Sequence, residues 1–174
     1  HFNRLAGRPV KPSPLYARLK EKGAVFEEVY GHERPRWFAP KGVEAQDIYG
    51  FKRTALHDIV GAECRAVRER VGLMDVTAFT KVRVHGPGAG AFIDRLTANR
   101  LPRAGRIGLS HMLNEAGRIE LETTVVNMTH GIKGGGETEI YYLVCAAFFE
   151  QRLLDHLARH RSDAEAQVEV ECLS

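Results

Sequence analysis

Two hydrophobic periods alternate along the chain after residue 54. Leu56, Ile59, Val60, Cys64 and Val67 recur at intervals of three and four, which predicts an amphipathic helix from Thr54 to near Gly72. Lys81-Val82-Arg83-Val84-His85 then alternates with period two and reads as a strand. Gly86-Pro87-Gly88 turns the chain, and Ala89, Phe92, Ile93 and Leu96 form the stripe of a second helix ending near Asn99. The runs Ile107 to Leu113 and Arg118 to Val126 flank the polar loop Asn114-Glu115-Ala116-Gly117 and predict a hairpin. Glu139 to Ala146 is apolar and rich in β-formers, Phe149, Leu153, Leu154 and Leu157 define a further helix, and Val168 to Leu173 reads as a closing strand. Helices interleaved with a hairpin, in the order β-α-β-β-α-β from Lys81, predict an α+β fold: a mostly antiparallel sheet with flanking helices packed on one face.

Residues 1–53 lack these periods. Pro9, Pro12, Pro14, Pro35 and Pro40 alternate with five glycines and predict mostly extended, irregular connections. A short helix starts at Ser13 as N-cap, with Pro14 at its first position, and stops at Gly23; a strand from Ala24 to Tyr30 follows. Trp37 and Phe38 lie between two prolines on a chain that cannot hide them locally, so their rings are expected to form an exposed apolar surface that needs cover, from the following domain or from a part of the protein outside this sequence.

Composition narrows the class. With 174 residues, 44% of them hydrophobic and 27% charged, the chain is of an ordinary globular kind and long enough for one domain plus part of a second. Its most apolar stretch, Ile140 to Phe149, is too short to span a bilayer. The net charge of +3 is too small to argue for nucleic acid, and the basic excess sits in residues 1–53, scattered rather than on one face. Cys64, Cys145 and Cys172 form an odd set without CxxC spacing, which suggests neither a disulfide framework nor a zinc site and fits a reducing compartment.

Three motifs fail on chemistry. Gly86-Pro87-Gly88-Ala89-Gly90-Ala91 matches G-x-G-x-x-A, but no second parallel strand ending in an acid follows, so it reads as a tight turn opening a helix. Gly131 to Gly136 with Glu137-Thr138 mimics a phosphate loop, but an acid stands where Lys belongs, leaving a surface loop. His156 and His160 have i, i+4 spacing without the Glu of H-E-x-x-H and read as solvated. In Arg118-Ile119-Glu120-Leu121-Glu122-Thr123-Thr124-Val125, period two puts Glu120, Glu122 and Thr124 on one face. That face is either the wet side of a sheet or, if covered, one where a carboxylate accepts a proton or holds an N–H bearing ligand.

Gly72-Leu73-Met74-Asp75-Val76-Thr77, Val84-His85-Gly86-Pro87-Gly88-Ala89 and Met112-Leu113-Asn114-Glu115-Ala116-Gly117-Arg118-Ile119 resemble, in order and spacing, successive landmarks of the aminomethyltransferase (glycine-cleavage T-protein) family, whose members bind tetrahydrofolate. Upstream, Gly7-Arg8-Pro9, Ser13-Pro14-Leu15-Tyr16, Gly23-Ala24-Val25-Phe26 and Gly31-His32-Glu33-Arg34-Pro35-Arg36-Trp37-Phe38-Ala39 resemble the segment that joins a flavin domain to this folate domain in dimethylglycine and sarcosine dehydrogenases. The resemblance implies residues 1–53 as an interdomain segment and 54–174 as the first part of the folate-binding domain.

It also implies an activity. A flavin oxidises an N-methyl amine, and tetrahydrofolate captures the one-carbon unit as methylene-tetrahydrofolate. FAD belongs to a preceding domain, and the fragment alone is expected to be inactive. Glu122 matches the family's pterin-contacting Asp, one methylene longer, and is the implied catalytic residue, facing a sheltered pterin cavity. Leu113, Tyr142, Val144 and Cys145 are implied as further cofactor-binding positions, with Cys145 where the family carries a pterin-bonding Asn; no metal is implied. Partners are then the small molecules, not nucleic acid or membrane, with a homo-oligomer compatible. The cytoplasm is the expected location and the mitochondrial matrix its alternative. The rival reading is a non-catalytic relative resembling the pyruvate dehydrogenase phosphatase regulatory subunit.

Overall fold

The computed structural model describes residues 6–47, 49–129 and 139–174. The loop read between Gly131 and Thr138 lies outside them. The chain divides into two compact units, His1–Ala78 and Phe79–Ser174.

In the first unit, α1 (Tyr16–Glu21) leads into β1 (Ala24–Val29) and β2 (His32–Phe38), which pair antiparallel. The helix begins two residues after Pro14, and the Ser13 hydroxyl accepts the Leu15 N–H at 3.2 Å. A hairpin therefore stands where irregular connections were expected beyond Tyr30. Its two-residue turn, Tyr30-Gly31, has φ of 51° and 85°, and two positive φ values are what a tight hairpin requires of its centre. Pro35 is accommodated because both strands are edges and a register shift lies beside it, between Val25 and Phe26.

The expectation for Trp37 is corrected: it is only 1% exposed, with Phe38 half-buried. Trp37 lies on the face of β2 whose alternate positions are covered, and its indole N–H donates to Asp47 at 3.4 Å. Helix α2 (Ala55–Glu69) follows, and its Glu63 carboxylate accepts the Phe38 N–H at 2.9 Å. Helix α2 thus belongs to the same compact unit as the hairpin, the two units dividing at 78/79. The tie between α2 and β2 is this polar bond: the helix buries none of its residues, and Cys64 and Val67 of its apolar stripe are exposed.

The second unit is a five-stranded sheet. Its strands are β3 (Phe79–His85), β4 (Ile107–Leu113), β5 (Ile119–Asn127), β6 (Ile140–Ala146) and β7 (Glu169–Cys172), in spatial order β4-β5-β6-β3-β7 with every pairing antiparallel. Helix α3 (Ala89–Leu96) follows β3 and α4 (Glu150–His160) follows β6, so the order from Phe79 is β-α-β-β-β-α-β. The predicted order gains one strand because the apolar run after the loop, β6, forms the middle of the sheet. The α+β class with a mostly antiparallel sheet is as expected.

The core is one layer between sheet and helices. Val82, Val84, Met112, Leu121, Val125 and Leu143 pack against Phe92, Ile93, Leu153 and Leu157, all essentially inaccessible. Each strand contributes alternate residues, so the intervening ones form the opposite face.

The turn before α3 explains its glycines. The Glu139 carboxylate accepts the Gly90 N–H at 3.0 Å, occupying the helix N-terminus that a dinucleotide phosphate would otherwise take. A Cβ on Gly90 would stand 2.7 Å from the Glu139 carboxylate and 2.9 Å from the Tyr141 hydroxyl, so the position is kept small by that cap.

Candidate functional site

Strand period places Glu122, Thr124 and Val126 of β5, Leu109 and His111 of β4, and Tyr142 and Val144 of β6 on the face opposite the helices. Register brings them together: Thr124 lies opposite Val144, Val126 opposite Tyr142, and His111 opposite Glu122. Leu113 ends β4 at the same rim, partly exposed. Four of the five expected positions, Leu113, Glu122, Tyr142 and Val144, thus gather on or beside one surface.

Cys145 does not join them. It follows Val144 by one residue, so its side chain turns to the core side, where it is buried. Burial pushes its thiol up to about 11, with a Thr80 hydrogen bond opposing, which makes it an inert core group rather than a ligand-facing one.

Glu120 is corrected as well. Met112 pairs with Leu121 and Leu113 with Ile119, so Glu120 is the extra residue of a β-bulge. The bulge turns it away from Glu122. Its carboxylate accepts from Arg152 of α4 at 2.9 Å and from Asn114 at 3.2 Å, and these two bonds hold its pKa below the usual carboxylate range. The two acids therefore do not share a site: Glu120 ties the hairpin to the helix, and Glu122 is left on the open face.

There Glu122 has one close partner, His111, whose Nε2 lies 3.2 Å from Oε2. The Glu122 side chain is 58% exposed and that of His111 31%. A sheltered cavity around Glu122 is not formed by the described residues: the carboxylate faces solvent. A concavity of about 300 Å³ exists elsewhere, between α4 and β7, lined by Leu154, Leu157, Ala158, Arg161 and Val170. On its β4 side the open face carries exposed apolar residues, Ile107 at 68% and Leu109 at 52%, with Val126 of β5 opposite Ile107, whereas Lys81 and Arg83 of β3 put charge further along it. An exposed apolar run of this kind suits contact with another surface or ligand.

His156 differs from its expectation too. It is buried, because it sits between Leu153 and Leu157 on the core-facing stripe of α4, whereas His160 is exposed. The two rings are 4.5 Å apart, and no group of three metal-binding side chains occurs among the described residues. His111 was not among the residues singled out from the sequence; the signal for it is cross-strand register, which a single strand does not display.

Comparison with known proteins identifies the family and the fold. The family model for the GCVT N-terminal domain matches residues 15–174. Dimethylglycine dehydrogenase of Mus musculus is 37% identical over 129 residues, 74% of this chain and 15% of that protein. Sarcosine dehydrogenase of Homo sapiens is 26% identical over 200 residues, 98% of this chain and 22% of that protein. The pyruvate dehydrogenase phosphatase regulatory subunit of Mus musculus is 33% identical over 129 residues, 71% of this chain and 15% of that protein. All three are mitochondrial proteins by name, and the chain spans 15 to 22% of their length. The crystal structure of glycine cleavage system aminomethyltransferase T from Bartonella henselae covers 94% of this chain and 38% of its own, with a TM-score of 0.67 at 20% identity, a likeness of fold.

Proposed function

The chain belongs to the family of GCVT N-terminal domains, and from that premise we propose that it forms the folate-binding part of a dimethylglycine or sarcosine dehydrogenase-like enzyme. The reaction is oxidation of an N-methyl amine at an FAD held by another domain, with transfer of the one-carbon unit to tetrahydrofolate. When bound, tetrahydrofolate supplies the nitrogen nucleophile that converts the oxidised methyl group into methylene-tetrahydrofolate rather than free formaldehyde.

The observation that carries the reading is a carboxylate, Glu122, beside a run of apolar positions on the β4–β5–β6 part of the open sheet face, with the charged Arg83, Glu169 and Glu171 toward its β3–β7 edge. A pterin is a flat heterocycle edged with N–H donors. Val144, Tyr142 and Leu109 offer apolar surface for such a ring, and Glu122 offers the acceptor for its edge. Glu122 binds by accepting hydrogen bonds from ring N–H groups. Cover for the face, and the dryness a strong carboxylate contact needs, would come from the rest of a longer polypeptide, in keeping with the small share of its relatives that the chain spans. The mitochondrial relatives favour the matrix over the cytoplasm as its location.

The test is calorimetric titration of tetrahydrofolate into the full-length protein and its Glu122→Ala variant, with methylene-tetrahydrofolate assayed during turnover of N-methyl amines. Loss of one charge-assisted contact is expected to weaken binding about tenfold or more. Equal affinity and equal product yield in both proteins would remove Glu122 from the site. The second reading, a non-catalytic regulatory relative, is favoured by the phosphatase regulatory subunit among the relatives. It would be supported by a full-length protein that reduces no flavin with any N-methyl amine.

A further inference from the structure

Glu122 has three side-chain torsions and lies in the middle of a strand, on a face with little to confine it. An unconfined carboxylate samples several rotamers, and ordering it upon binding costs free energy that a pre-positioned group does not lose. The family's Asp, which the resemblance sets at this position, has one torsion fewer. Something must compensate if the longer side chain is to present its oxygen at a defined point.

The hairpin supplies a candidate. His111 of β4 pairs directly with Glu122 of β5, and its Nε2 lies 3.2 Å from Oε2. With the proton on Nε2, His111 donates to Oε2 and leaves Oε1 free. His111 is less exposed than its partner, so the ring is the better anchored of the two. The bulge between Met112 and Leu113 makes the pair: it withdraws Glu120 toward Arg152 and sets Glu122 opposite the imidazole.

We propose that His111 is a positioning residue for Glu122, holding one carboxylate oxygen so that the other is aimed at the N–H edge of the ligand on the open sheet face. This rests on the folate reading of that face. His111 itself touches no ligand and acts only through the carboxylate, which separates it from a catalytic residue.

The experiment is a mutant cycle in the full-length protein, with tetrahydrofolate as the probe. His111→Ala, His111→Asn, Glu122→Ala and the double variant His111→Ala/Glu122→Ala are compared for tetrahydrofolate affinity, methylene-tetrahydrofolate yield and amine-dependent flavin reduction. His111→Ala is expected to lower affinity or yield about tenfold while flavin reduction holds, since loss of positioning rather than of a contact is the effect. His111→Asn, which keeps an N–H donor, is expected to recover most of the loss. The double variant should match Glu122→Ala alone, because a group acting through another adds nothing once that other is gone.

Additive losses in the double variant would overturn the proposal, as would a His111→Ala protein equal to the parent while Glu122→Ala is impaired; in both cases the folate reading stands. If Glu122→Ala itself equals the parent, Glu122 leaves the site and this proposal falls with it; a parent that binds no tetrahydrofolate overturns the folate reading. Should His111→Ala not fold, the Asn variant decides: impairment as deep as that of Glu122→Ala would sink the positioning role.

Discussion

The covered and open faces of the five-stranded sheet come from the same strands, one residue out of phase, yet they differ in almost every physical respect. On the helix side, Val82, Val125, Leu121 and Leu143 meet Phe92 and Leu153 with no access to water. On the other, Ile107 and Leu109 stand in solvent on the same face as the hydrogen-bonded pair of His111 and Glu122. The covered face carries stability, and the open face carries the chemistry proposed for the domain. Alternation lets one change without the other, because neighbouring residues on a strand scarcely share an environment.

The strongest way to break that comparison is to hollow the covered face. Phe92→Ala is expected to lower the unfolding free energy by about 3–5 kcal/mol, read from urea titration of the circular dichroism signal. A loss under about 1 kcal/mol would show that α3 does not anchor the sheet. A smaller effect is expected at the turn that feeds α3. Gly90→Ala puts a methyl group where the Glu139 carboxylate sits, and displacing that cap should cost about 1 kcal/mol. The same substitution in a Glu139→Gln background should then cost less; an equal cost in both would separate Gly90 from the cap.

The third prediction concerns pH. Burial lowers the pKa of His156, with His160, Arg159 and Arg152 pushing the same way and Glu120 opposing. Because the folded protein resists the proton more than the unfolded chain does, the unfolded state binds more protons below the usual histidine pKa of about 6.5. The stability that neutral His156 provides is therefore complete above that value and lost as pH falls from it toward the lowered folded pKa. Thermal melts of His156→Gln should show a flatter pH dependence in that window; an unchanged slope would mean the ring is not desolvated. The smallest effect belongs to the open face. Leu109→Ser should shift the unfolding free energy by no more than about 0.5 kcal/mol, and a larger loss would mean that this chain covers the face itself.

Local signals read well where period and turn chemistry coincide. Helix α3 and the β4–β5 hairpin stand where Phe92, Ile93 and the Asn114–Gly117 loop put them. The β1–β2 hairpin was harder to see, because one of its two positive-φ positions is Tyr30 and Pro35 argues against a strand. Trp37 looked stranded because the strand that carries it, with alternate positions covered, was read as an irregular connection. Cys145 was readable in principle, since a residue beside Val144 on a strand must face the other way. The pairing of His111 with Glu122 was not. Continued from the end pair Leu113 and Ile119, the register would set His111 opposite Leu121, and it is the bulge that moves it by one residue to Glu122.

By itself, then, the amino-acid order determined the elements, the phase of each strand and the family landmarks, because these depend on interactions within a few residues. Tertiary structure alone decided which of two nearby acids is spent on an ion pair with α4 and which stands on the open face. It also decided that α2 belongs with the first hairpin and that His156 is buried. Each of these depends on what lies across a sheet or under a helix, and packing between distant segments leaves no local period to read.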